Sequence, residues 1–373
     1  MKYYIIAGEA SGDLHGSNLI KALIDQDENA QIRCWGGDLM QQAGGTLVKH
    51  YKELAFMGFL EVILNLNAIF KNIKFCKQDI ADYQPDALIF IDYSGFNLRI
   101  AKWAKAHGFL TNYYISPQIW ASREGRIAKI KATVDHMYVI LPFEKAFYEG
   151  KHQYPVHFVG HPLLDAIANR PEVDPRSFRN TYGLDPAKPI IALLPGSRMQ
   201  EVQKMLALML SLTEDFLDHE FVIAGAPSLD EGFYAPFLNN VNVKFVRNKT
   251  YDLLSISTAA LVTSGTATLE TALFKVPQVV CYKANWISYQ IAKRIVTLDY
   301  ISLVNLIMQK EVVTELIQDD FTKQRLKKEL AAILKGSTRT KQLQEYDELI
   351  LKLGGAGASA KAAALIIEHT KNN

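Results

Sequence analysis

The sequence has little cysteine. Cys34, Cys76 and Cys281 stand far apart and without metal-ligand spacing, which excludes a disulfide framework and a zinc motif readable from spacing, and suits a reducing compartment. An excess of charge is also missing: Lys+Arg 41 against Asp+Glu 39 leaves a net charge of +2. That removes any general electrostatic case for nucleic acid, so a basic patch must be local. No apolar run approaches ~18 residues, so no segment is expected to span a bilayer. The first apolar run, Tyr3–Ala7, is strand-length and enters a glycine turn, unlike the core of a signal peptide. Short repeats and low-complexity tracts are absent too.

What is present is alternation. YYIIA (3–7), ALIFI (87–91), NYYIS (112–116), MYVIL (137–141) and VHFVG (156–160) are almost wholly apolar, as strands buried on both faces of a parallel sheet must be. Helical spacing fills the intervals, as with Ile20, Leu23 and Ile24, or Ile100, Trp103 and Ala104. After a linker-like stretch, 161–175, the rhythm restarts with PIIALL (189–194), EFVIAGA (220–226), VKFV (243–246), AALVT (259–263) and PQVVCY (277–282). The expected fold class is therefore α/β, with two tandem Rossmann-like, doubly wound parallel-sheet domains facing a cleft. The boundaries fall at 1–165 for the first domain and 176–340 for the second, with C-terminal helices over 341–373 that break at Gly354–Gly357.

Ligands of open parallel sheets bind beyond the carboxyl ends of the strands, which directs attention to the residues after each apolar run. In the second half, Ser264-Gly265-Thr266-Ala267-Thr268 turns from a strand into a helix, offering backbone N–H groups, hydroxyls and the positive helix end to an anion. Glu270 lies one turn further and can accept hydrogen bonds from vicinal hydroxyls; alternatively Thr266 is a plain N-cap and Glu270 complements the helix end. Ser197 and Arg198, in LPGSR, start another helix, and the guanidinium either forks onto the same diphosphate or stands solvated. In the first half, Asp92 ends a buried strand and reads as a general base raised toward neutrality, or as a capping group.

GEASGDLHG (8–16) spaces its glycines as G-x3-G-x3-G, and Glu9 and Asp13 would repel a pyrophosphate. Gly8, Glu9, Ser11, Gly12 and Asp13 suit the hydroxyls of a sugar acceptor better, unless they only form a tight strand-to-helix turn. The apolar segment 56–75, with Phe59 and Phe70, and the basic segment 122–131, with Arg123, Arg126, Lys129 and Lys131, are either a buried helix and a solvated face or a surface that rests on an anionic bilayer. No metal site is evident: Asp25-Gln26-Asp27 ends a helix, and Asp319-Asp320 lies in a turn. His161 reads either as a hinge residue or as one that reaches the cleft.

Ordered blocks along nearly the whole chain, GEASGDLHG, MGFLEV, FID..GFNLR, YYISPQIWA, LPFEKAFY, FVGHP, LPGSR, SGTATLE and AKRIVTLDYISLVNLI, resemble the lipid A disaccharide synthase family. The resemblance implies a GT-B fold and an inverting, metal-independent transfer of 2,3-diacylglucosamine from UDP to the 6-hydroxyl of 2,3-diacylglucosamine 1-phosphate, with no cofactor. It also implies a cytoplasmic enzyme bound peripherally to the inner face of a Gram-negative inner membrane, with C-terminal helices over 341–373 that pack back on the first domain; a homodimer is left open. It makes Asp92 the catalytic base, Arg198, Glu270 and Asn305 donor-binding or activity residues, and Glu9, Ser11 and Asp13 part of the N-terminal loop. Ser94 and Val304 replace prolines usual in the family, Met308-Gln309-Lys310 replaces a common A-G-R, and Ser122 stands in place of a second tryptophan. Rival readings are a UDP-sugar 2-epimerase, which shares the paired-domain fold, and a non-catalytic nucleotide-sugar binding module.

Overall fold

The apolar runs are strands, and all of them pair in parallel. The computed structural model describes residues 1–54, 66–227, 229–238, 243–284 and 299–373. Residues 56–65 of the apolar segment and 292–298 of the last family block thus lie outside the described residues. The chain divides into two compact units, Met1–Asn169 with Leu353–Asn373, and Arg170–Lys352.

The first unit holds β1 (Lys2–Ala7), β2 (Gln31–Gly36), β3 (Thr46–His50), β4 (Ala87–Ile91), β5 (Thr111–Tyr114), β6 (His136–Val139) and β7 (His157–Phe158) in the order β3-β2-β1-β4-β5-β6-β7. The second holds β8 (Ile190–Leu194), β9 (Glu220–Gly225), β10 (Val243–Arg247), β11 (Ala259–Thr263), β12 (Gln278–Tyr282) and β13 (Glu315–Ile317) in the order β10-β9-β8-β11-β12-β13. Strand order reverses between β1 and β4 in one sheet and between β8 and β11 in the other, and such a reversal opens a crevice for a ligand. Register places the relevant loops side by side. Ala7 pairs with Ile91, so the chain leaves β1 at Gly8 next to where it leaves β4 at Asp92. Val262 likewise pairs with Leu194, bringing the loops after β8 and β11 together.

Burial on both faces explains why β4, β8 and β11 carry no polar residue before their ends. Tyrosines bring hydroxyls into the core, and most of these are partnered, that of Tyr114 being an exception. Tyr4, fully buried, donates to Asp79 at 2.6 Å, and the same carboxylate takes two hydrogen bonds from Arg33 at 2.6 and 2.9 Å.

The tail divides between the units. Helix Ser337–Lys352 belongs to the second, where Gln342 accepts from the Gln278 N–H at 3.1 Å and Tyr346 is wholly buried. Gly354 and Gly355 then take left-handed φ of 89° and 70°, and helix Ala358–Lys371 packs on helix Ala10–Gln26 of the first unit. Asp165 caps that last helix, accepting from Gly357 N at 2.6 Å and Ser359 N at 2.8 Å. Only the second tail helix, not the whole of 341–373, therefore joins the first unit.

Candidate active site

Asp92 occupies an unusual backbone position. Both Asp92 and Tyr93 have left-handed φ, 43° and 42°, a conformation that costs a non-glycine residue of order 1–3 kcal/mol. Asn97, entirely buried, holds the turn by donating to the carbonyls of Asp92 at 2.9 Å and Ile91 at 3.2 Å, and Tyr113 donates its hydroxyl to the Asp92 carbonyl. The Tyr93 ring stacks on Phe96 and covers Gly8, where a Cβ would sit 2.3 Å from the ring. No residue but glycine fits there. The carboxyl of Asp92 is half-buried; burial, with the nearby negative charge of Glu9 adding to it, pushes its pKa up to about 6, against a hydrogen bond from the Tyr93 N–H. That is a carboxylate ionised at neutral pH yet basic enough to accept a proton from an alcohol in a transition state.

In the second unit the chain leaves β11 through half-buried Ser264 and exposed Gly265 into helix Thr266–Leu273. Gly265 is the N-cap and has no side chain to satisfy the helix start, so the N–H groups of the first turn open toward an incoming anion. Glu270 is half-buried, its pKa raised by burial and held down in part by the Tyr251 hydroxyl, which donates to it at 2.8 Å. After β8, Arg198 caps helix Met199–Leu210; its side chain is 80% exposed and meets Glu201 at 3.3 Å. An exposed pair of that kind is worth at most about 1 kcal/mol, so a diphosphate can take the guanidinium over.

A family model described as Lipid-A-disaccharide synthetase matches residues 3–368. The chain belongs to the lipid-A-disaccharide synthase family. A curated lipid-A-disaccharide synthase of Geobacter metallireducens is 38% identical over 371 residues, covering 98% of this chain and 96% of the relative. Among solved structures, a UDP-GlcNAc 2-epimerase from Neisseria meningitidis bound to UDP-GlcNAc superposes with a TM-score of 0.67 at 13% identity over 100% of both chains. A glycotransferase of kitacinnamycin reaches 0.66 at 12% identity, covering 99% of this chain and 98% of that one. At such identities the structures show the fold alone: two parallel-sheet α/β domains of GT-B type.

For this family member, several residues expected to touch substrate do something else. Asp13 is 4% exposed and its carboxylate accepts from the N–H groups of Gly37 at 2.8 Å, Met40 at 3.0 Å and Leu39 at 3.2 Å, capping helix Asp38–Gln42. Gly8 and Gly12 are buried too, Gly12 against the Ala7 Cβ. Of the five loop residues expected at the acceptor, only Glu9 and Ser11 are exposed, with Ala10 between them. In the donor loop the Thr268 hydroxyl turns back to the Gly265 carbonyl at 2.8 Å, and Ser264 donates to Ile301 at 2.8 Å. Gly265, Thr266 and half-buried Ala267 keep their approach to solvent.

Asn305 is also removed from direct contact. It is fully buried, and its carboxamide donates to Val313 at 2.8 Å and Glu315 at 2.9 Å while accepting from Val312 and Val313 at 2.8 and 3.0 Å. All four of its hydrogen-bonding positions are used. Glu315 in turn accepts from Ile301 and Ser302 N–H, each at 2.9 Å, and Ile301 receives the Ser264 hydroxyl. Asn305 is thus linked through Glu315 and Ile301 to Ser264 in the loop after β11. His161 is buried and caps helix Pro162–Ala168 by accepting from Leu163 N at 3.2 Å. Tyr251 and Glu315 belong to no block singled out in the sequence, and they stand 19 and 10 residues from Glu270 and Asn305; Asn97 lies within the FID..GFNLR block, five residues from Asp92, and its role as the holder of that turn went unread.

Proposed function

We propose that the protein is an inverting glycosyltransferase that moves 2,3-diacylglucosamine from UDP to the 6-hydroxyl of 2,3-diacylglucosamine 1-phosphate. The second unit holds the UDP-sugar: the open N–H groups of 265–267 and Arg198 meet the diphosphate, and Glu270, steadied by Tyr251, accepts from the ribose hydroxyls. The first unit receives the acceptor sugar at Glu9, Ser11 and Asp92. Asp92 takes the proton of the 6-hydroxyl; the oxygen forms a bond to the anomeric carbon from the face opposite UDP. The bond from that carbon to the diphosphate breaks, and UDP leaves with the electron pair, its growing charge met by the helix end and the guanidinium. No metal or cofactor enters a step.

The observation that carries this reading is the left-handed, half-buried Asp92 beside Glu9 at the end of β4, with its pKa at about 6. An epimerase or a binding module would give no reason for disaccharide and UDP to appear together. Mixing the protein with both acylated substrates, without added metal, and following both products tests it; UDP release without disaccharide, or neither product, overturns it.

The same reading places the enzyme at the cytoplasmic face of an inner membrane. Support comes from Phe70, 60% exposed on helix Leu66–Tyr83, and from Arg99, Lys102 and Arg126, whose charges together with burial lower the pKa of Lys129. None of these four cations has a carboxylate partner among the described residues, and Arg126 donates to Ser94 at 2.9 Å, two residues from Asp92. Basic groups without carboxylate partners and an exposed aromatic side chain in the same unit suit an anionic bilayer. No described helix is long and apolar enough to cross one. Vesicle flotation that survives replacement of Phe70, Arg126 and Lys129 would count against this surface.

A further inference from the structure

His136, His157 and His369 come together from three elements, with ligating nitrogens all within 4.8 Å of one another. His136 and Tyr138 share one face of β6, since side chains alternate along a strand. His157 on β7, the edge strand, is in register with Tyr138. His369 lies in the last turn of helix Ala358–Lys371 and stacks on His136 at 3.8 Å between centroids, with His157 at 4.8 Å. We propose that these three imidazoles bind a borderline divalent transition-metal ion, zinc above all, which ties the C-terminal helix to the edge of the first unit's sheet.

Four features besides proximity support the site. Imidazole is the ligand type that suits zinc, and three of them leave a fourth position for water. A ligating histidine needs its second nitrogen held, and the Tyr138 hydroxyl meets His369 Nδ1 at 2.8 Å while donating its one hydrogen to Asn112 Oδ1 at 2.9 Å. With the Tyr138 hydrogen given to Asn112, the His369 tautomer that carries its proton on Nδ1 is the one that completes this network, and it is the one whose Nε2 lone pair is open to a metal. Burial is the largest influence on all three rings and keeps them neutral, as ligands must be. Finally, the negative end of the helix and Asp135, Glu149 and Glu368 surround the rings, against Lys105 and Lys145, which are paired with Asp135 and Glu149.

Nitrogens around tetrahedral zinc stand roughly 3.3 Å apart, given bonds of ~2.0–2.1 Å. Binding therefore draws the rings together by side-chain rotation and opens the His136–His369 stack. The rings are half-buried, which leaves room for it. His136 and His157 are the first residues of their strands, at the edge of the sheet opposite the carboxyl ends that carry Gly8 and Asp92. The metal is thus structural, separate from the transfer reaction. Spacings of 21 and 212 residues hid it from sequence reading.

The full chain, freed of metal with EDTA, is titrated with zinc by calorimetry and with cobalt by visible absorption. One zinc per chain is expected, a tetrahedral cobalt spectrum, and a higher thermal midpoint with zinc. His157→Ala and His369→Ala each weaken zinc at least ~10-fold, and Tyr138→Phe does so by ~10–100-fold, the usual effect of removing an outer partner. His50→Ala and His219→Ala change nothing. Either single histidine variant suffices if His136→Ala fails to fold. Zinc binding that is unchanged in the His157→Ala/His369→Ala variant overturns the site, as does a cluster that changes stability with acid but ignores zinc. Because the readouts are binding and melting, failure here leaves the transferase reading standing.

Discussion

Replacing Asp92 by asparagine should make the protein more stable while nearly abolishing its activity. The fold raises the Asp92 pKa from 3.8 to about 6, so the native state prefers the neutral acid. At about 1.4 kcal/mol per unit, holding the charged form costs about 2–3 kcal/mol. The sign follows from the direction of the shift: that cost is fully present above pH ~6 and disappears as pH falls toward ~4, where both folded and unfolded chains are protonated. Asparagine keeps the shape without the charge. Asp92→Asn should therefore melt about 5–10 °C higher than the parent at pH 8, with the difference shrinking between pH 6 and pH 4. Turnover should fall ~10²- to 10⁴-fold, the usual worth of general-base catalysis, with UDP affinity kept. In the parent enzyme kcat/KM should decline on the acid side with a midpoint near pH 6. Glu9→Gln, which removes a like charge, should move that midpoint lower. A variant that melts no higher at pH 8 would refute the burial argument, and one that turns over like the parent would refute the role of the carboxylate.

Tyr251→Phe removes the one hydroxyl bound to half-buried Glu270 and should weaken UDP binding roughly 10-fold by calorimetry; unchanged affinity would free Tyr251 of a positioning role. Asn305→Ala leaves the buried N–H groups of Val312 and Val313 and the Val313 carbonyl without partners, so thermal unfolding should show a loss of about 3 kcal/mol or more, accompanied by a higher KM for UDP-sugar. A stable Asn305→Ala protein with weakened UDP binding would instead point to direct contact. Gly8→Ala drives a methyl into the Tyr93 ring and should raise the acceptor KM while leaving UDP affinity alone.

The strands of the sheet interiors were legible because burial on both faces forces continuous apolar runs, and no other element of that length does so. Three strands escaped that criterion. β3 and β13 are edge strands with half-buried positions, and β2 carries Arg33, whose charge is admitted only because Asp79, far along the chain, receives it. The site was legible as loops and less so as side chains. Chain topology dictates which loops flank a crevice, so Asp92, Arg198, Glu270 and the turn at Gly265 were reachable from the sequence. Whether a polar residue there faces a ligand or its own backbone depends on tertiary neighbours. Asp13 looked like a sugar contact because its three N–H partners come from a different loop. Asn305 was expected at the donor side only through the family resemblance, and the sequence does not show that its carboxamide is used up by Glu315 and the backbone of 312–313.

The two sheets share one topology, yet their crevices are charged in opposite senses, and this division argues for two substrates of different character. Beside β1 and β4 the residues left exposed or half-buried include Glu9 and Asp92, whose mutual repulsion is written into the raised pKa of the latter. A diphosphate placed there would meet two carboxylates in a partly desolvated turn, a cost of the kind that keeps like charges apart. Beside β8 and β11 the helix start is capped by glycine, which has no side chain to compete for the N–H groups, and the only cation of the loop is restrained by a weak exposed pair. An alcohol would gain little from that arrangement, whereas a leaving nucleotide gains the most where N–H groups and guanidinium are already in place before charge develops. Exchanging the charge of one crevice should therefore not yield a weaker version of the same enzyme. Glu9→Lys is expected to reverse the local charge acting on Asp92, lower its pKa and so its basicity, and admit phosphate to the acceptor side; competitive inhibition of acceptor turnover by inorganic phosphate, absent in the parent, is the measurement. If the parent and Glu9→Lys respond alike to phosphate, charge at this turn does not sort the substrates.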